Sequence, residues 1–272
     1  MDKTAETICK GTTTTFGSTT TELGVNYSWT PINSLENALI PYVTTKALNS
    51  TSTFTLTAAL SSLSTCTSTG KVVVTVVNYP TANAGADKIV CEGKTTKLGT
   101  TSVSGVNYSW TPDWLTSTTI SNPTTKAITS DISYTLTATL SVSPYCSSTD
   151  QVLVSVAHNP VVYDIEGTNS YCGESTAGMT VRLVDSDTDT QYALYKDGVI
   201  QGSWVTGTGV ALEWYDNSAG SYTVVGRNIA AQCEIAMNGT VTITRNPKPA
   251  ATITSSTSLS CAGQSTNVNI NF

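Results

Sequence analysis

The heptapeptide Val25-Asn26-Tyr27-Ser28-Trp29-Thr30-Pro31 returns unchanged as Val106-Asn107-Tyr108-Ser109-Trp110-Thr111-Pro112, 81 positions further on. Identity at a fixed displacement marks a repeat array, in which each copy buries its own small core. The cysteines keep the same period. Cys9 and Cys91 each sit in Ile/Val-Cys-x-Gly, whereas Cys66 and Cys146 each precede a valine-rich run, Val72/Val74/Val76 and Val152/Val154/Val156. A third unit has Tyr171-Cys172-Gly173 early and Cys233 late, and Cys261 stands where a fourth unit would have its early cysteine. Each complete unit therefore has one early and one late cysteine, and the odd total of seven is what a truncated fourth repeat would leave. The expected domains are repeat 1 at 1–80, repeat 2 at 81–160, a variant repeat 3 at 161–247 and the start of a fourth at 248–272.

Within each unit the periodicity is that of strands. Val25, Tyr27 and Trp29 alternate with Asn26 and Ser28; Phe54, Leu56 and Ala58 alternate with threonines, as do Tyr134, Leu136 and Ala138. The third unit adds Val181/Leu183, Tyr192/Leu194, Val210/Leu212/Trp214 and Tyr222/Val224, with the hairpin signal Asp197-Gly198 between two of its strands. Asn78-Tyr79-Pro80, Asn159-Pro160 and Asn246-Pro247 close the units, because proline cannot extend a ladder. About seven short strands per unit read as an all-β chain of tandem immunoglobulin-like sandwiches in a rod-like array, with a short barrel as the alternative. Trp29, Trp110 and Trp214 are expected in the cores, Trp214 sharing a face with Val210 and Leu212.

The run Asn83-Ala84-Gly85-Ala86-Asp87-Lys88-Ile89-Val90-Cys91-Glu92-Gly93, followed by Leu98-Gly99, Tyr108-Ser109-Trp110-Thr111-Pro112, Tyr134-Thr135-Leu136-Thr137 and Asp150-Gln151-Val152, resembles the PKD-like and Ig-like repeats of secreted Bacteroidetes surface proteins, best known in flavobacterial gliding-motility adhesins. The third unit is similar to a sister repeat type through Tyr192-Ala193-Leu194-Tyr195-Lys196-Asp197-Gly198-Val199, Gly220-Ser221-Tyr222-Thr223-Val224 and Asn246-Pro247-Lys248-Pro249. Thr-Pro follows the Tyr-x-Trp here, where the PKD pattern has an acidic, glycine-rich turn, so no role of that turn is carried over. The resemblance implies an extracellular protein of the bacterial cell surface.

Composition narrows the function classes. Charged residues make up 12% of the chain, about half the usual quarter. A net charge of −6 with no Lys/Arg cluster is not the footprint of a nucleic-acid binder, and no apolar run reaches the roughly 18 residues of a membrane span. A single histidine, His158, beside a boundary proline, leaves no nucleophile–histidine constellation, so no enzyme activity is expected. Regularly spaced cysteines point to an oxidising compartment, and the segment is expected to come from a longer secreted protein.

The early–late placement predicts a disulfide inside each unit: Cys9–Cys66, Cys91–Cys146 and Cys172–Cys233, with Cys261 unpaired or bonded between chains. Asp185, Asp187 and Asp189 alternate as calcium ligands do, although Thr190 takes the place of the turn glycine of a calcium loop; a polar turn is the competing reading, and no other cofactor is implied. Trp114 has no aromatic counterpart in repeat 1, where Asn33-Ser34 stand, and is a candidate for stacking on a glycan or on a neighbouring domain. Val268, Ile270 and Phe272 alternate as a strand that could lie along the sheet edge of a neighbouring copy. The expected partners are thus other repeats of the same protein, surface glycans and a second copy. The expected function is a disulfide-clamped spacer of a large cell-surface adhesin or filament, bearing tension; the alternative is an accessory stalk or carbohydrate-binding module of a secreted polysaccharide-degrading enzyme.

Overall fold

The computed structural model describes residues 4–177, 179–255 and 268–271, and the chain divides into two compact units, Met1–Ser155 and Val156–Phe272. The first unit holds two successive sandwiches. Repeat 1 contributes β1 (Ala5–Cys9), β2 (Thr15–Gly17), β3 (Val25–Thr30), β4 (Tyr42–Thr44), β5 (Ser52–Leu60) and β6 (Leu63–Val77). Repeat 2 contributes β7 (Lys88–Cys91), β8 (Val106–Thr111), β9 (Ile132–Leu140) and β10 (Ser147–Ala157). The two principal sheets have the same order, β1-β6-β5-β3 and β7-β10-β9-β8. In repeat 1 the first strand runs parallel to the last, Ala5 opposite Val73 and Cys9 opposite Val77, while the other pairs are antiparallel. β2 and β4 form the facing two-stranded layer.

Alternation places the core. On β3 every second residue turns inward and Trp29 is 1% exposed; on β8 Trp110 is 2% exposed. Phe16, Phe54, Val72 and Val74 join Trp29 in one cluster, with Phe16 edge-on to the indole at 5.2 Å. Both buried indoles are satisfied in the same way, Nε1 donating to the Ile40 carbonyl and to the Ile120 carbonyl at 2.9 Å each, so neither strands a polar atom in the core. Thr45 and Thr125 are likewise equivalent: each buried hydroxyl accepts a backbone N–H, from Thr14 and from Thr96. Gly17 ends β2 and Gly99 holds the equivalent place between β7 and β8; both have positive φ, and a Cβ on either would collide with the carbonyl oxygen of Pro41 or Ser121, which fixes glycine there.

The second unit contains β11 (Ile165–Gly167), β12 (Ser170–Cys172), β13 (Val181–Leu183), β14 (Thr190–Lys196), β15 (Val199–Thr206), β16 (Leu212–Trp214), β17 (Gly220–Asn228), β18 (Glu234–Ala236), β19 (Val241–Asn246), β20 (Thr252–Ser255) and β21 (Val268–Asn271). A sheet β11-β13-β16 faces the sheet β12-β19-β17-β14-β15, with Val181, Leu183, Tyr192, Leu194, Tyr222, Val224 and Ile243 packed between them. Asp197 and Gly198, both with positive φ, make the tight turn between β14 and β15. The chain is all-β, built of tandem immunoglobulin-like sandwiches.

Two expectations change. Val210 precedes β16 and is exposed, and Trp214 is half-buried against the edge of the cluster rather than inside it, because β16 is only three residues long. The strand Val268–Asn271 pairs antiparallel with Thr252–Ser255 of its own chain, Ile270 opposite Ile253, so its ladder is taken up within this molecule. Phe272 and Cys261 lie outside the described residues.

Replacing Trp29 or Trp110 by alanine should each destabilise its sandwich by about 3 to 5 kcal/mol, and Trp114→Ala by much less. Thermal unfolding of the three variants checks this; a larger loss for Trp114→Ala than for Trp110→Ala would contradict the core assignment.

Candidate functional site: the bridged junction between repeats 1 and 2

β1 ends at Cys9, beside Val77 at the trailing end of β6. Cys66 lies near the start of that same strand, 11 residues upstream, and at ~3.3 Å per residue the two are separated by roughly 36 Å. A disulfide needs Cα atoms about 4.4 to 6.8 Å apart, so the expected Cys9–Cys66 bridge cannot form within a folded repeat. Cys9 is instead bonded to Cys146 of repeat 2, with Cα atoms 5.7 Å apart and a sequence separation of 137. Cys66 and Cys172 are free and exposed, which overturns the Cys172–Cys233 pairing too. Cys91 and Cys233 are disulfide-bonded, and since Cys146 is taken by Cys9, the Cys91–Cys146 bridge is also ruled out. In the chain-entropy picture, closing a loop of this length stabilises the folded state by about 5 kcal/mol.

The linker completes the junction. Ser148, at the start of β10, donates its hydroxyl to the Pro80 carbonyl at 2.5 Å and accepts the Ala82 N–H at 3.1 Å. Asp150 accepts the Ala84 N–H at 2.8 Å, and Asp87 accepts the Leu153 N–H at 2.8 Å. The segment from Pro80 to Asp87 is thus laid along β10 and held by carboxylate and hydroxyl groups, with Ala84 fully buried. These charge-assisted bonds to backbone N–H groups order a Pro-bounded linker that has no ladder of its own. In the sequence Asp150 stands out only as an aspartate at the head of a valine run, where repeat 1 has Gly70.

Other candidates are placed apart from this junction. Trp114 is 47% exposed, yet its Nε1 donates to the Ala127 carbonyl at 3.0 Å, the Lys126 ammonium sits 5.1 Å from the ring centroid, and its own carbonyl accepts the Tyr134 hydroxyl at 3.2 Å. It anchors the local turn, with one face of the ring taken by a cation. In the acidic turn each carboxylate has a hydrogen-bond partner of its own. Asp185 accepts the Ser186 N–H, Asp187 accepts the Tyr163 hydroxyl at 2.8 Å, and Asp189 accepts the Thr190 hydroxyl at 3.1 Å, so the three carboxylates serve separate partners. Among the described residues no three His, Cys, Asp or Glu side chains are grouped to hold a metal ion. Asp187, Asp189 and His158 instead line a shallow pocket with Pro160 and Asn228. Among the described residues no helix is long and apolar enough to cross a membrane.

No family model and no curated protein matches the sequence. Among solved structures the chain is similar to the N-terminal eight Ig domains of Down Syndrome Cell Adhesion Molecule, at 11% identity and a TM-score of 0.41, over 94% of this chain and 37% of that one. It is similar also to the I9–I11 tandem of titin, at 14% and 0.29, over 92% and 98%. A third is the SGBP-B protein of the Bacteroides ovatus mixed-linkage glucan utilization locus in complex with a mixed-linkage heptasaccharide, at 15% and 0.22, over 88% and 66%. The chain spans little more than a third of the first of these.

The Tyr163–Asp187 bond gives the acidic turn a measurable signature. The carboxylate beside it, chiefly through the hydrogen bond, pushes the Tyr163 hydroxyl up to about 12. The folded-state value is raised above the unfolded one near 10, so the contribution of this bond is complete below pH ~10 and is lost as pH rises towards 12. Asp187→Asn should return the Tyr163 titration towards 10, followed by NMR of ring-labelled tyrosine; an unchanged titration would contradict the assignment.

Proposed function

We propose that the chain is a structural repeat segment of a large bacterial cell-surface adhesin or filament, a disulfide-clamped spacer that holds an adhesive region away from the cell and bears tension. The observation that carries this reading is the Cys9–Cys146 bond. Force entering along β1 crosses at Cys9 to Cys146 and leaves along β10, so the strands from β2 to β9 lie inside a closed loop and are not loaded. At ~3.4 Å per extended residue the bridge withholds roughly 460 Å of chain. A tether that transmits force needs that limit on extension. The neutral, hydroxyl-rich surface and the bonds between cysteines suit an extracellular, oxidising setting, and neither the bridge nor the linker contacts supply a catalytic group.

Single-molecule stretching of the oxidised and reduced protein tests the clamp. Reduction should add roughly 460 Å to the extension released when repeats 1 and 2 unfold; equal extension in both states would overturn the mechanical role. An enzyme stalk or glycan-binding module would instead show binding of soluble polysaccharide that is lost with Trp114→Ala.

A further inference from the structure

One end of repeat 2 is covered, and the equivalent end of repeat 1 is open. In repeat 2 the Cys146 sulfur is bonded to Cys9, the linker from Pro80 runs along Ser148 and Asp150, and Leu136 and Ala138 beneath are fully buried. The corresponding residues of repeat 1 are Cys66, Ser68, Leu56 and Ala58. Here the thiol is free and exposed, Ala58 is only half-buried, Leu60 is 41% exposed, and Tyr27, Leu56, Ala58, Leu60, Cys66 and Ser68 line an open groove of about 610 Å³.

We propose that this groove with Cys66 is the docking surface for the trailing end of another repeat of the same kind, whose early-position cysteine bonds Cys66 while the linker behind it lies along β6. The occupant is specified by what already sits on the same residues one repeat later: a neutral extended segment ending in Asn-x-Pro, with a cysteine at the end of the strand parallel to the last one. Repeat 3 carries a related end, closed by Asn246-Pro247 without the intervening residue. Cys172 closes β12 opposite Asn246, as Cys9 closes β1 opposite Val77, and it too is free and exposed. The chain therefore carries both halves of an unmade junction, and the bridging rule is a stagger in which an early cysteine reaches the late cysteine of the following repeat. Ser68 keeps the hydroxyl of Ser148; Gly70 stands in the place of Asp150, so at this socket one linker anchor is absent. Bond formation uses a small-molecule disulfide as oxidant. The Cys66 thiolate displaces one thiolate from it, the partner's thiolate then attacks the mixed disulfide, and the oxidant leaves as two thiols that carry the two protons. This stagger extends the tether reading to a whole array, but it concerns pairing alone and stands whether or not the array bears load.

Duplicating residues 1–82 in tandem ahead of the full chain tests it, because the original Met1 then takes the place of position 83 and Cys9 that of Cys91, in register with the repeat. With Cys66→Ser in the first copy, the only Cys66 is the one facing the new repeat. Peptide mapping after oxidation by oxidised glutathione should find Cys66 bonded to a Cys9 peptide beside an undiminished Cys9–Cys146 bond. With Cys9→Ser in the first copy as well, alkylation of Cys66 should remain about tenfold slower than in the single-length chain, since the docked segment still covers the thiol. Thermal unfolding of the Cys9–Cys146 unit confirms that each chain has folded. Cys66 alkylated as fast in both duplicated chains as in the original, with Cys9–Cys146 intact, would overturn the proposal.

Discussion

The parallel pairing of the first strand of a repeat with its last strand governs how these domains are joined. It carries the chain from one end of the sandwich to the other along β6, so that Cys9 comes to lie next to Val77 and the exit of the domain. Any bond made from there must reach outward, and the next repeat supplies Cys146 at its near end. Cys66, near the far end of the 15-residue β6, is out of reach of Cys9 in this arrangement. The interlocked arrangement is thus a consequence of sheet topology combined with two fixed positions in the repeat.

The junction has a covalent and a non-covalent part that depend on each other. The bond fixes where the trailing end of repeat 1 meets repeat 2, and the linker bonds to Ser148 and Asp150 fix the path between them. Ordering a linker of this kind costs conformational entropy of about 1 to 2 kcal/mol per residue, which its few hydrogen bonds and the burial of Ala84 offset only in part. The bridge removes much of that cost by confining the unfolded chain as well. Domains of about 80 residues have small cores, and a cross-link shared between two of them stabilises both at once.

Much of the fold was legible in the sequence because it rests on local patterns. The exact repeat of Val-Asn-Tyr-Ser-Trp-Thr-Pro located β3 and β8, alternation placed Trp29 and Trp110 inside, and Asp197-Gly198 marked the turn between β14 and β15. The bridge was not legible, for a physical reason. A periodic array looks the same whether an early cysteine pairs within its own unit or with the next, and spacing along the chain cannot separate the two. Strand direction separates them, and direction is a property of non-local pairing that no window of sequence displays. At the acidic turn the alternation of Asp185, Asp187 and Asp189 is local and was readable, whereas the bond from the distant Tyr163 to the middle carboxylate was not. Trp114 is exposed as expected, while Lys126 and Ala127, twelve and thirteen positions on, engage it locally.

The pairing of Cys9 is the most direct test of this picture. Proteolysis of the oxidised chain under non-reducing conditions, followed by mass spectrometry, should yield the peptide containing Cys9 joined to the one containing Cys146, with Cys66 recovered as a free thiol. Recovery of Cys9 joined to Cys66 would contradict the strand arrangement of repeat 1, the clamp between repeats, and the stagger built on it.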